Sequence, residues 1–284
     1  MSRLGVGTAL FGELTDDEAA RIVRTAVERS VRHFDTAPLY GYGVAERRLG
    51  AALATVDRAS VVVSTKVGRI VGADGASVSW DFGRSGVLSS LEASLARLGV
   101  DHVDIALIHD PDDHAETALK ETCAALTELR GQGVVRAIGV GINQTALAAR
   151  FVREADIDLV LLAGRYSLLD RSAVTELLPL CLEREVDVVV GGVYNSGILA
   201  TGEASSTYDY REPDHEILAR VDAIKRLCHA HRVPLRAAAL QFPSRHPAVV
   251  STVAGVRSEV ELVDNCDMAE IPIPEELWDA LDSY

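Results

Sequence analysis

The sequence predicts an α/β protein: a (β/α)₈ TIM barrel forming a single domain over residues 1–284. Three observations point there. Eight short runs rich in Val and Ile recur along the chain, separated by longer stretches of helical periodicity. The runs show little polar alternation, as strands of a parallel sheet do when both faces are buried. No Pro-, Gly- or Ser-rich linker divides the series, and one closed barrel typically takes about 250 residues.

The elements follow in order. The first run, LGVGTALF from Leu4, leads to Thr15 and Glu18, whose spacing is that of a helix capping box. HFDTA from His33 and VVVSTKV from Val61 read as the second and third strands, and Gly68–Gly86 as a loop. A helix over Gly86–Leu98 places Val87, Leu91, Leu95 and Leu98 on one face. VDIALIHD from Val103 precedes a helix over Ala115–Leu129, which Gly131 and Gly133 stop. VRAIGVGI from Val135, DLVLLAGRY from Asp158 and DVVVGGVY from Asp187 give three more strands. A loop over Thr201–Pro213 and a helix over Asp214–His231, which Pro234 keeps from continuing, precede the last strand, VVSTVAGV from Val249. An open doubly wound sheet would want a third glycine opening a helix after Gly5 and Gly7, and none is there.

Composition narrows the function classes. With 48% hydrophobic and 25% charged residues the chain can bury a core and is not disordered. A net charge of −14 argues against nucleic acid and against an anionic membrane surface as partners. No apolar stretch approaches the ~20 residues of a membrane span, and the first residues do not read as a signal peptide. Cys123, Cys181, Cys228 and Cys266 are scattered without CxxC spacing, as expected of reduced thiols in a cytoplasmic protein. Asp112, Asp113 and His114 lie side by side without a spaced partner and read as a solvated loop rather than a metal site.

Barrel chemistry sits at the C-terminal ends of strands, where this sequence places Asp35, Lys66 and His109, with Tyr40 in the loop behind Asp35. Singly, each has an ordinary structural role: a loop-starting Asp, a Lys snorkelling to the rim, a satisfied strand-end His. Together they make a proton-handling site. A buried Lys66 needs a counter-charge, which Asp35 supplies. The ammonium beside Tyr40 is expected to lower the phenol from its usual value of about 10. His109 then hydrogen-bonds the reacting oxygen.

The segments HFDTAPLYGYGVAERRLG, STKVG and LIHD, carrying these four residues, resemble the aldo-keto reductase superfamily over nearly the whole chain. That resemblance implies a hydride transfer between a nicotinamide dinucleotide and a carbonyl or carbinol carbon, with Asp35, Tyr40, Lys66 and His109 as the catalytic tetrad. LARLGVDHVDIALIHDPDDH, LLAGRYSLLDR and GGVYNSGILATG resemble its sugar-oxidising branch, that of L-fucose dehydrogenase and D-threo-aldose 1-dehydrogenase, with pyridoxal 4-dehydrogenase and L-galactose dehydrogenase as relatives. The branch implies oxidation of a pyranose at C1 to its lactone. Open alternatives are oxidation of pyridoxal, NADPH-dependent reduction of small aldehydes and ketones, and a non-catalytic nicotinamide-binding regulatory subunit.

The resemblance also implies cofactor contacts. Asn143 matches the family residue that holds the carboxamide, whereas Ala163 stands where many relatives have Gln. Gly191 takes the place of the tyrosine that often stacks on nicotinamide, for which Tyr194 or Tyr166 can substitute. In Val253–Asn265, which matches the adenosine-phosphate stretch, Gly255 and Glu261 replace the Lys and Arg of many NADP-using relatives, while Arg257 keeps one cation and Asn265 closes the segment. Glu261 would repel a 2′-phosphate and accept from a free 2′-hydroxyl, so NAD is the expected cofactor, with NADP as the alternative. Tyr42 and Trp80 are candidates for contact with the sugar or aldehyde substrate.

Overall fold

Strands with no polar face must be covered on both sides, and in this computed structural model they achieve this by closing into a barrel wrapped by helices. The structure describes residues 1–72, 74–203 and 207–283; residue 73 of the 68–86 loop and residues 204–206 of the 201–213 loop lie outside it. The barrel strands are β1 (Leu4–Gly7), β2 (His33–Asp35), β3 (Val62–Val67), β4 (Val103–His109), β5 (Val135–Ile142), β6 (Leu159–Ala163), β7 (Asp187–Gly191) and β8 (Val249–Gly255). All pair in parallel with their sequence neighbours, and β8 closes on β1.

Register and the two-residue period decide what faces the lumen. Ile105, Leu107, Leu159, Leu161, Val189 and Val253 form an interior cluster of their own. His109 shares the parity of Ile105 and Leu107, and so faces inward at the strand's end. Gly7 stands beside Asp35, Asp35 beside Ser64, and His109 beside Gly141. These ends therefore open on one mouth. The larger core, including Phe34, Ile108, Leu126 and Phe151, lies between barrel and helices.

The helices start and stop where local chemistry directs. The first, α1 (Asp16–Glu28), carries the capping box in full: Thr15 Oγ1 accepts from Glu18 N–H and the Glu18 carboxylate accepts from Thr15 N–H. The helix after the 68–86 segment, Arg84–Leu98, starts ahead of the expected Gly86 and ends at Gly99, whose φ of 66° is left-handed. His215–Ala230 is capped by Asp214, whose carboxylate accepts from Ile217 N–H at 2.8 Å.

Two departures from the expected layout matter. The 68–86 segment is not a plain loop: Arg69–Val71 and Val78–Trp80 form an antiparallel hairpin, with Arg69 opposite Trp80. Runs of three residues are too short to show a strand period. The helix expected over Ala115–Leu129 extends to Gly131 and contains a π-helical stretch, Ala118–Thr122. Such a bulge frequently accompanies functional surfaces. Among the described residues, no helix is long and apolar enough to cross a membrane.

Candidate active site

Lys66 is 2% exposed, so its charge must be met inside the protein. Nζ donates to Asp35 Oδ2 at 2.7 Å and to the Thr36 carbonyl at 2.9 Å. Burial alone would push the ammonium's pKa down, but the charge of Asp35 and the neighbouring Tyr40 outweigh it and the pKa is raised. Asp35 is fixed in turn, because its Oδ1 accepts from Ser64 Oγ at 2.7 Å. Ser64 is also 3.1 Å from His33 Nε2, and His33 Nδ1 is 3.4 Å from Ser251 Oγ. A polar chain thus runs from the ion pair down into the lumen. Burial pushes the pKa of His33 down to about 4, so the chain is uncharged at that point. His33 and Ser64 escape a reading of strand ends alone. The signal for both is parity: each lies two residues before a tetrad member.

Tyr40 opens a tight 3₁₀ turn, Tyr40–Gly43. Gly41 sits there at φ 55°, and a Cβ on it would come within 2.7 Å of the Gly12 Cα, so only glycine lets this turn pack on the loop after β1. The turn sets the Tyr40 ring 4.8 Å from Lys66 Nζ and edge-on to the His109 ring, 6.1 Å between centroids. The expectation of a lowered phenol pKa does not hold for this site as it stands. Burial raises the pKa; Lys66 lowers it, Asp35 raises it again, and the balance is upward. The ammonium therefore limits the rise rather than creating a phenolate at neutral pH.

His109 is held neutral. Burial drives its pKa well below 6.5, and the positive charges of Lys66 and Arg69 act the same way. Its buried Nδ1 has no hydrogen-bond partner among the described residues, while Nε2 lies 3.7 Å from Asp110 Oδ2. A neutral imidazole presents one N–H donor, which suits it to hold an oxygen rather than to compete for its proton.

The remaining sequence candidates occupy the later strand ends. Asn143 follows β5 and is exposed, its carbonyl accepting from Arg165 Nε at 3.3 Å. Ala163 pairs with Gly191 at the ends of β6 and β7. A Cβ on Gly191 would meet only Leu161, at 3.7 Å, so the wall is open there. The Tyr194 hydroxyl donates to Asn265 Oδ1 at 2.7 Å, which joins two of the candidates. Tyr166 is elsewhere: it is buried among Phe242 and His246, with ring centroids 5.0 and 6.1 Å away, as a core aromatic. Gly255 pairs with Gly7 at the ends of β8 and β1. The Glu261 carboxylate accepts from Arg257 N–H at 2.8 Å, and Glu261 N–H donates to Ser258 Oγ at 3.2 Å, closing the start of the helix Glu259–Glu270. Tyr42 and Trp80 are both exposed. Asn195, not singled out in the sequence, is buried, and its Oδ1 has no hydrogen-bond partner among the described residues.

Known proteins share this layout. The model of the Aldo/keto reductase family matches residues 3–284. A D-threo-aldose 1-dehydrogenase of Pseudomonas sp is 40% identical, the match covering 97% of this chain and 91% of that protein. A pyridoxal 4-dehydrogenase of Microbacterium luteolum is 36% identical, covering 100% and 94%. Among solved structures, the holo form of aldo-keto reductase AKR11C1 from Bacillus halodurans superposes with a TM-score of 0.85 at 25% identity, over 99% of this chain and 91% of that one. The family match and these relatives span the same barrel that brings Asp35, Tyr40, Lys66 and His109 together, and the chain is an oxidoreductase belonging to the aldo/keto reductase family.

Proposed function

We propose that the protein oxidises the anomeric carbon of an aldose to a lactone, with NAD as the hydride acceptor. The observation that carries the chemistry is the buried Lys66–Asp35 pair beside Tyr40, facing a neutral His109. The choice of an aldose rests on the likeness to the D-threo-aldose 1-dehydrogenase.

The residues present fit a dinucleotide laid across the strand ends. Asn143 offers an exposed amide for the carboxamide, and Gly191 leaves room for a flat ring. Arg257 offers a cation for phosphate beside the start of Glu259–Glu270, whose first turn also carries Glu259 and Glu261. When bound, the nicotinamide accepts the hydride that leaves C1. Tyr40, once ionised, takes the proton of the C1 hydroxyl, so that C1 loses a hydride, its oxygen a proton, and the pair becomes the lactone carbonyl. His109 Nε2–H holds the same oxygen and orients C1. Lys66 stabilises the phenolate form that accepts this proton, and Asp35 keeps Lys66 charged and in place.

The exposed carboxylate of Glu261 favours NAD, because a 2′-phosphate beside it would meet a like charge. Glu261→Arg should raise the NADP-to-NAD ratio of kcat/KM by about tenfold or more, the scale of one charge-assisted hydrogen bond. An unchanged ratio would show that another residue selects the cofactor. The four cysteines are buried free thiols, which fits a cytoplasmic protein.

A second reading, oxidation of pyridoxal, is favoured by the 36% identical relative. A panel of D-arabinose, L-fucose, L-galactose and pyridoxal with NAD and NADP separates the two. NADH formed from an aldose supports the proposal; NADH from pyridoxal alone selects the second reading. NADPH consumption with simple aldehydes alone would make the protein a reductase.

A further inference from the structure

An ion pair at the mouth takes no part in the chemistry above. Asp110 directly follows His109 and holds a left-handed backbone, φ 38°, a conformation that non-glycine residues keep only where their surroundings enforce it. In that conformation the carboxylate lies back against the imidazole, Oδ2 being 3.7 Å from His109 Nε2. Arg69, from the hairpin after β3, brings Nη2 to 3.1 Å from the same Oδ2 and to 3.5 Å from the Asp110 carbonyl. Asp112 is 3.9 Å from that nitrogen, and Arg69 Nε is buried without a hydrogen-bond partner among the described residues. Oδ1 of Asp110 accepts no hydrogen bond from the described residues, although a carboxylate offers about four lone-pair sites.

The site thus has a donor for the reacting oxygen, His109 Nε2, and beside it a carboxylate that Arg69 holds through Oδ2, itself 3.7 Å from that nitrogen, and whose second oxygen accepts nothing from the described residues. We propose that Asp110, held by Arg69, is a hydroxyl-binding subsite that accepts a hydrogen bond from the carbon next to the reacting one, so that the enzyme selects substrates with a vicinal oxygen pair. The inference rests on the reading of Tyr40 and His109 as the groups that hold the reacting oxygen. Asp110 is then a specificity determinant, and Arg69 its positioning residue. Burial pushes the Asp110 carboxyl up while Arg69 pulls it down, so Arg69 serves to keep the acceptor ionised.

Matched substrate pairs give the test. D-Arabinose and 2-deoxy-D-ribose differ only by the hydroxyl on the carbon next to C1; lactaldehyde and propionaldehyde do the same for reduction. The wild-type enzyme should prefer the hydroxylated member by about ten- to a hundredfold in kcat/KM, the range for a hydrogen bond to a charged group. In Asp110→Ala that preference should fall to within about threefold of unity, chiefly through KM, and Arg69→Met should move it the same way by a smaller factor. Asp110→Asn, which keeps one acceptor, should fall between. Equal losses on both members of a pair would mean that the ion pair only braces the hairpin, and an unchanged preference would mean that the hydroxyl is read elsewhere; either overturns the proposal. If no aldose is oxidised but the aldehydes are reduced, the aldose reading fails and the lactaldehyde-to-propionaldehyde ratio still decides the subsite.

Discussion

Tyr40→Phe should lower kcat by about 10²- to 10⁴-fold, the contribution of a positioned acid–base group, while changing the affinity for the cofactor little. The substitution removes only the hydroxyl and keeps the ring that packs beside Lys66 and edge-on to His109. The pH profile carries the same information with a definite sign. Burial raises the Tyr40 pKa, so at neutral pH the phenol is protonated, ready to donate in reduction but not to accept in oxidation. Oxidation should therefore accelerate as pH rises and reduction slow. Tyr40→Phe should flatten both limbs, as stopped-flow measurement of cofactor absorbance between pH 6 and 10 would show. Full activity in the variant would remove Tyr40 from the mechanism.

Asp35→Ala should have the largest effect on stability, a loss of about 3–5 kcal/mol, because it leaves the Lys66 ammonium buried without its counter-charge. Its pH dependence follows from linkage. In the wild type the Lys66 pKa is raised, so the pair's stabilisation is present below the unfolded lysine value and is lost only as pH rises through the folded one. Without Asp35, burial dominates and the folded pKa falls below the unfolded value. The unfolded chain then binds the extra proton, and the variant should gain stability as pH rises. Urea unfolding at pH 6, 8 and 10 measures this. The gap between wild type and variant should narrow with pH, and a constant gap would mean that the loss is one of packing rather than charge. Lys66→Met should be less damaging to the fold, since Asp35 keeps the Ser64 hydroxyl, yet nearly as damaging to turnover.

Strands were the most legible part of the fold. A parallel barrel strand is buried on both faces, so runs such as Val61–Val67 and Val103–Ile108 are continuous in the sequence itself. The Arg69–Trp80 hairpin was hidden because its strands are three residues long and half exposed. The π stretch at Ala118–Thr122 was hidden because an inserted residue leaves the apolar spacing on either side intact. At the site, Lys66 and Asp35 could be matched from sequence, as a buried lysine must find an acid. The direction of the Tyr40 pKa could not. It is a balance of burial, Asp35 and Asp110 against Lys66, and burial depends on the turn that Gly41 permits. Asp110 was overlooked for a related reason: its backbone angle, not its place after His109, brings it beside the imidazole.

The most direct test of the account follows the hydride itself. D-Arabinose carrying deuterium at C1 is incubated with enzyme and NAD, and the products are read by proton NMR. The account predicts deuterium at nicotinamide C4 of the reduced cofactor, in equal amount with lactone, and a slowed rate when hydride transfer limits turnover. Reduced cofactor without deuterium, or no reduced cofactor from any aldose with an enzyme that reduces aldehydes, would contradict it.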